Sequence, residues 1–500
     1  MKKRKIFAGV ICSLMVVAAC VDTIDPSRGG GIAPGERPGP GTITESDLAS
    51  QNLLRAMQLV DTAVLYHFPT TTRMYRYYNP FTKSRPNETG SVWMYTSAIE
   101  AVNAILHGLK AQKEHGETAL YDKHFDRYVS LLGTLYTNID YYRGTYPAPG
   151  LVSYTQTVRW SVYAVDRANS MGSANVTGVL NVYDDQMWLT RELLEAYRIT
   201  DNQTYLEKAE YLAEYVIDGW DCTINSGTER GGIPWGPGYV TKHSCSNGPM
   251  VSPLVWLYEL YKEKPDEIEY RYITGTTTRT TQQVKKSDHY LNFAKKIYAW
   301  QKNALLITSG NNRGVYADMM GGCSPGSVST EVINSVTYRR GATCSSRSGD
   351  PHSYNSGSML SGAADLYRAT GENSYLTDLK ELSLASFNYF TTLDATVPDY
   401  YTYRITSDFS TWFDCVLMRA FVDAYPADNE VAPYINSFQK NLDYGYDEFL
   451  YNGFLPSRHQ VGSNLLTGWA ETAGDNQLEG MFSFTYAAEY ATLARYEIEK

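Results

Sequence analysis

The sequence is poor in the residues that would mark a metalloprotein or a nucleic-acid binder. Its 8 histidines and 7 cysteines form no Cys-x-x-Cys pair and no His-rich spacing, so no metal site is expected. No motif calls for a cofactor. Basic residues are outnumbered, 44 Lys and Arg against 54 Asp and Glu, for a net charge of -10. That diffuse acidic balance excludes nucleic acid or an anionic polymer as the main partner and suits a neutral ligand. After the first twenty residues no apolar run is long enough to span a bilayer. No series of alternating strands is evident, which argues against a β-sandwich or a parallel α/β sheet. What remains is a 500-residue chain, 43% apolar, with 42 Tyr and 9 Trp. Most of those rings are expected in a large core, and a few at a cleft, where aromatic faces stack on sugars.

The amino-terminal end reads as a targeting signal. Lys2, Lys3, Arg4 and Lys5 form a basic segment, and Ile6 to Ala19 an apolar one too short to span. Val17-Ala18-Ala19-Cys20 resembles a bacterial lipobox, which makes Cys20 the lipidated first residue of the mature chain. Residues 21–45 are rich in Gly and Pro and read as a flexible tether. Residues 46–500 are expected to form a single domain, acting as a monomer and touching membrane only through the lipid. Export brings the chain into an oxidising compartment, so Cys222–Cys245 and Cys323–Cys344 are expected as disulfides and Cys415 as a buried thiol.

From residue 46 onward the 3.6-residue period dominates. Helices are expected to start near residues 49, 91, 118, 184, 203, 249, 288, 356, 374, 411, 429 and 480. An internal echo links them. Tyr197-Arg198-Ile199-Thr200 precedes Tyr205-Leu206, and Tyr367-Arg368-Ala369-Thr370 precedes Tyr375-Leu376. Tyr258 to Tyr261, followed by Tyr290-Leu291, reads as the same turn with an insertion. Repeated helical hairpins suggest a toroid of alternating inner and outer helices. One helix length back from each turn lie Asp184 and Asp185, His243 to Asn247, Tyr354 and Asn355, and Trp412 and Asp414, with Trp93 opening another helix. Their amino-terminal ends would meet at one mouth. The Gly-, Ser-, Thr- and Pro-rich segments 150–180, 221–248, 304–352 and 395–410 would feed it.

Asn181-Val182-Tyr183-Asp184-Asp185-Gln186-Met187-Trp188 carries the chemistry. Glycosidic cleavage uses two carboxyl groups, and neighbours at a helix start can lie about 5–6 Å apart, the retaining spacing. Two like charges so close push one pKa up and supply a protonated acid. Standing alone, Asp-Asp equally well just starts a helix; the aromatic flanks Tyr183 and Trp188 and the export signal favour a site. Trp235, in a Gly-Pro loop, reads as a sugar platform. Asn247 and Asn355 either cap helices or bond sugar hydroxyls. Asp318 holds a hydroxyl or closes a turn, and Trp93 and Trp412 divide between core and subsite. His243 and His352 read as loop residues. Glu471 and Glu479 are alternatives for the acid.

The Tyr-Asp-Asp-x-x-Trp stretch resembles the catalytic motif of glycoside hydrolase family 76, the α-1,6-mannanases. The resemblance continues at Gly231-Gly232-Ile233-Pro234-Trp235, Ser246-Asn247, Gly314-Val315-Tyr316-Ala317-Asp318 and Ser353-Tyr354-Asn355-Ser356-Gly357, over most of residues 90–425. It implies an all-α (α/α)6 barrel and hydrolysis of α-1,6-mannosidic bonds in mannan with retention, Asp184 being the nucleophile and Asp185 the general acid/base. It also implies a Bacteroides-type lipoprotein at the outer membrane or cell surface. Residues 265–285 look inserted and 323–350 form a Cys-Gly-Ser-rich loop outside the pattern. The alternatives are another α-glycan hydrolase or transglycosidase on the same fold, or a glycan-binding surface lipoprotein. The paired Asp favours an enzyme, since a binder needs aromatic platforms but no such pair.

Overall fold

The computed structural model describes residues 47–70, 72–147, 153–456, 459–460, 463–466 and 468–500. The expected signal, lipidation at Cys20 and tether lie outside these residues. The described chain is mainly helical, with twelve α-helices. They are α1 (Leu48–His67), α2 (Val92–Glu114), α3 (Ala119–Asn138), α4 (Tyr183–Thr200), α5 (Gln203–Asp218) and α6 (Val251–Tyr261), then α7 (Lys286–Leu305), α8 (Ser353–Thr370), α9 (Asn373–Phe390), α10 (Ser410–Ala424), α11 (Ala432–Phe449) and α12 (Gly480–Glu499). Each expected helix exists, with its start within three residues of the sequence estimate.

The helices sort into two kinds by burial. α4, α8, α10 and α12 are covered nearly all round, the condition of a helix surrounded by others. α3, α5 and α11 bury one stripe and expose the other face. Packing follows the same division. α2, α4, α6, α8, α10 and α12 each touch the next, and α12 touches α2, while α3, α5, α7, α9 and α11 lie against the member they follow. Small residues permit the closest approach. A Cβ on Gly357 of α8 would stand 2.9 Å from the Leu417 Cα of α10.

The repeated Tyr-Arg-x-Thr blocks are the same turn twice. α4 ends at Asp201 and α8 at Gly371, both left-handed at φ 55° and 70°, and their N–H groups donate to Tyr197 and Tyr367 carbonyls. A left-handed residue after the last turn satisfies carbonyls that the helix leaves open. The hydroxyls of Thr200 and Thr370 bond back to Ala196 and Leu366. In the third block, α6 and α7 are separated by an antiparallel hairpin, Glu267–Ile273 with Arg279–Lys285. Its Ile-Glu-Tyr-Arg-Tyr-Ile alternation suits a strand and breaks the helical period, which is why the segment looks inserted. Residues 319–348 form an arm. Met319–Gly321 pairs with Ser346–Ser348 and with Lys242–His243, and Thr330–Ile333 pairs with Val336–Arg339.

Cys323 and Cys344 are disulfide-bonded at the neck of that arm. The expected Cys222–Cys245 disulfide is absent: both are buried free thiols. Cys222 faces Glu229 and Asp221, whereas Cys245 faces Asp184 and Tyr354. Twenty-odd residues of spacing permit a bridge but do not aim two side chains at each other. Cys415 is a buried thiol on α10. Among the described residues no helix is long and apolar enough to cross a membrane, and no cluster of three His, Cys, Asp or Glu could hold a metal.

Candidate active site

The site is assembled where the even-numbered helices begin. α4 starts without a side-chain cap; its entry is fixed by Tyr183 N–H donating to the Trp235 carbonyl, 2.8 Å. That bond ties the Gly231–Trp235 loop to the residue preceding the acids. Asp184 and Asp185 occupy the first turn. Asp185 N–H donates to Asp184 Oδ1 at 3.1 Å. Asp184 is half-buried and Asp185 is 7% exposed. Among the described residues neither has a basic partner.

A helix amino terminus lowers the pKa of a carboxyl group, yet burial overrides this for both. Burial pushes Asp184 up to about 6, opposed by the Cys245 thiol, the Trp235 indole N–H and the Asp185 amide. Asp185 rises further, from burial first and the Asp184 charge second. Like charges in one dry site cannot both ionise easily. The arrangement therefore favours a shared proton, with Asp184 the more readily ionised of the two and Asp185 the more readily protonated.

Two aromatic groups flank the pair. On one side the half-buried Trp235 lies over His243, ring centroids 4.9 Å apart, and beside Tyr239 at 4.7 Å. Its buried indole N–H faces Asp184 without a formed hydrogen bond. On the other side Trp412 meets Trp188 edge-on at 4.9 Å and Trp93 at 5.1 Å. Its indole N–H donates to Glu100 Oε2, 3.1 Å. Tyr354 stacks on Phe413 at 4.2 Å and interacts with Cys245 and Asp184. Asp318 is half-buried, accepts from Asn355 Nδ2 at 3.4 Å and lies 3.9 Å from His243 Nδ1. Asn355 Oδ1 is buried and unpartnered. Buried polar atoms normally have partners, so this one fits a ligand hydroxyl.

The structure thus brings Asp184, Asp185, Trp235, Asp318, Tyr354 and Asn355 together, with Trp93, Trp188 and Trp412 adjoining. Tyr183 and Asn247 sit behind the wall. Tyr183 is fully buried, packed on Gly219 and Tyr215. The Asn247 side chain bonds Ile233 N at 2.8 Å, Ile233 O at 3.0 Å and His243 O at 2.8 Å, so it holds the Trp235 loop. His243 and His352 are nearer the acids than loop residues need be: both feel Asp318. Glu479 is tied to Arg76 at 2.9 Å and Glu471 is exposed. Sequence reading gave no role to Tyr239, put Cys245 in a disulfide and placed Asp414 at the mouth without a function. Asp414 is buried, accepts from Ser353 Oγ at 2.7 Å and is pushed by burial up to about 8. Its position after Trp412 at a helix start was the available signal.

A protonated and an ionised carboxyl side by side, walled by aromatic rings, are the equipment of a glycoside hydrolase. The family model of glycosyl hydrolase family 76 matches residues 103–266 and 279–444, leaving out the first strand and the turn of the inserted hairpin. The chain belongs to glycosyl hydrolase family 76. No curated protein matches. Among solved structures, a family 76 mannosidase from Bacteroides thetaiotaomicron is 19% identical with a TM-score of 0.62, covering 89% of this chain and 98% of that one. An α-1,6-mannanase from Salegentibacter sp. is 17% identical with a TM-score of 0.56, covering 89% and 99%. An inactive variant of that mannanase, with two consecutive aspartates changed to asparagine, has been solved with α-1,6-mannotriose; it is 16% identical with a TM-score of 0.55, covering 90% and 100%.

Proposed function

We propose that this enzyme hydrolyses α-1,6-mannosidic bonds of mannan with retention of configuration, acting within the chain. The observation that carries the reading is the Asp184–Asp185 couple in the first turn of α4, without a basic partner among the described residues and beside aromatic rings. Asp185 donates its proton to the glycosidic oxygen as that bond breaks, and Asp184 forms a bond to the anomeric carbon. Asp185, now ionised, takes a proton from water, whose oxygen attacks the same carbon and releases Asp184. Trp235, Tyr354, Asp318 and Asn355 supply stacking and hydroxyl contacts for the flanking sugars. The α-1,6 linkage is supported by the family and by the mannotriose-bound relative.

The scaffold is read as an (α/α)6 barrel, supported by the cyclic packing of the even-numbered helices. Cys20 is proposed to carry lipid and hold the enzyme at a bacterial outer membrane or cell surface. Incubation with linear α-1,6-mannan, with chromatography of the products and proton NMR of the newly formed anomer, tests the reading. A ladder of α-anomeric oligosaccharides is expected. Monosaccharide alone removes endo action, a β-anomer removes retention, and intact polymer removes the substrate.

A further inference from the structure

The two segments that fall outside the helical pattern are joined to each other and to the acid-bearing helix. Arg279, on the hairpin, donates to Glu331 of the arm at 2.8 Å and lies 4.4 Å from the Tyr338 ring. The arm continues into Arg339, which is 2% exposed. Arg339 turns its guanidinium onto the loop that carries Trp235. Its Nη1 donates to the Pro237 carbonyl at 2.9 Å, and its Nη2 donates to the Tyr239 carbonyl. Its main-chain N–H donates to the Ser153 carbonyl at 2.8 Å. At the arm's neck, Cys344 Sγ lies 3.6 Å from the Val240 carbonyl.

The same loop is pressed on its other side against the entry to α4. A Cβ on Gly236 would come within 2.3 Å of the Asn181 carbonyl, and one on Gly238 within 2.5 Å of Gly178. Two cross-links close the loop there: Tyr183 N–H to the Trp235 carbonyl, and Trp235 N–H to the Thr241 carbonyl at 2.9 Å. A buried cation hydrogen-bonded to two main-chain carbonyls fixes backbone more firmly than neutral contacts do.

We infer that Arg339 is a positioning residue for the catalytic carboxylate: the disulfide-necked arm clamps residues 235–241 against the start of α4, and so fixes the Trp235–Tyr239 wall beside Asp184. The inference rests on Asp184 being the reacting carboxylate. It does not depend on which α-linked glycan is cleaved. With the clamp loosened, the indole N–H that favours ionised Asp184 moves away, and burial acts on that carboxyl with less opposition.

The test compares the full chain with Arg339→Ala, using α-1,6-mannotetraose as probe. Arg347→Ala is the control, because Arg347 belongs to the arm but bonds Ala304 instead of the loop. Arg339→Ala is expected to lower kcat/KM by about 10- to 100-fold, the scale of a small misplacement at a reacting group. The acid limb of its kcat/KM–pH profile should move to higher pH. The pH dependence of tryptophan emission that disappears in Trp235→Phe should move with it, and this readout needs no substrate. An unmoved acid limb and emission titration, at any melting temperature, overturn the inference, as does an equal shift in Arg347→Ala. If Arg339→Ala does not fold, Cys323→Ser combined with Cys344→Ser is read the same way: a shift in the same direction supports the clamp and none overturns it. Failure of the unmodified chain to cleave mannotetraose strikes the linkage assignment alone, because the emission titration still reports on the clamp.

Discussion

The two ends of the even-numbered helices treat acidic side chains in opposite ways. Further along these helices several acids are buried with partners. Glu195 is held by His107 at 2.7 Å and Arg191 at 3.5 Å, Arg191 also meets Glu192, Arg419 meets Glu100, and Arg368 meets Asp365. At their amino-terminal ends buried Asp185 and Asp414 and half-buried Asp184 have no such partner among the described residues. Burial alone therefore does not distinguish the ends. Against a comparable desolvation cost, His107 and Arg191 hold Glu195 well below the ordinary carboxylate range. Burial still keeps Glu192 up, and Asp365 up to about 6, despite their arginines. Charge is tolerated at one end by pairing and made reactive at the other by withholding it.

Substitutions should separate the ends in sign as well as size. Asp184→Asn and Asp185→Asn are each expected to lower kcat on α-1,6-mannan by about 10⁴-fold or more, the upper range for removing one acid–base group. The melting temperature should hold or rise: at Asp184 an unpaired charge is costly to keep, and at Asp185 so is an acid held protonated while the unfolded carboxyl ionises. Near-wild-type rates in either variant would break the comparison. Arg419→Met acts at the other end. It leaves buried Glu100 without its cation, with only the Trp412 indole N–H as partner among the described residues, and should destabilise the fold by about 3–5 kcal/mol in urea titration; an unchanged midpoint would make the pairing irrelevant.

The pH dependence follows from the directions of the shifts. Asp184 is raised to about 6, so its ionised form costs stability above that pH, and the cost fades as pH falls toward the unfolded carboxyl value. The thermal advantage of Asp184→Asn should thus be present at pH 7–8 and vanish by about pH 4. Glu195 is lowered, so its pairing stabilises above the unfolded value and is lost on acidification; Glu195→Gln should be most damaging at neutral pH. The activity of the unmodified enzyme should fall below about pH 6 as Asp184 protonates. The smallest effect on activity at pH 7 is expected of Asp414→Asn. Asp414 is raised to about 8, so at pH 7 the amide replaces an acid that is already neutral. Its melting temperature should match wild type near pH 4 and exceed it increasingly up to about pH 8, because the unfolded carboxyl ionises well before the folded one. A large loss at neutral pH would mean that Asp414 works ionised.

Much of this was legible from periodicity. Helix starts, the Tyr-Arg-x-Thr turn and the convergence of Asp184, Tyr354 and Trp412 follow from a pattern repeated at one helix length. The wall was less legible, because Trp235, Tyr239 and Cys245 lie on loops whose path is set by contacts distant in sequence. Arg339 is about a hundred residues from the carbonyls it holds, and no local pattern announces such a partner. The Cys222–Cys245 expectation erred for the same reason: spacing carries no direction. Asn247 shows the reverse case. A polar residue opening a helix in a family motif suggested ligand contact, and its side chain is consumed by three main-chain bonds.

Cys245 has a consequence for how long such an enzyme can work outside a reducing environment. Thiolates, not thiols, are what oxidants and disulfides attack. Burial, with the Asp184 and Asp318 charges behind it, keeps the Cys245 sulfur protonated, while walls of packed side chains keep reagents out. A sulfur placed where oxidation would wreck the reaction is thereby made chemically quiet, and the enzyme needs no second cysteine to protect it.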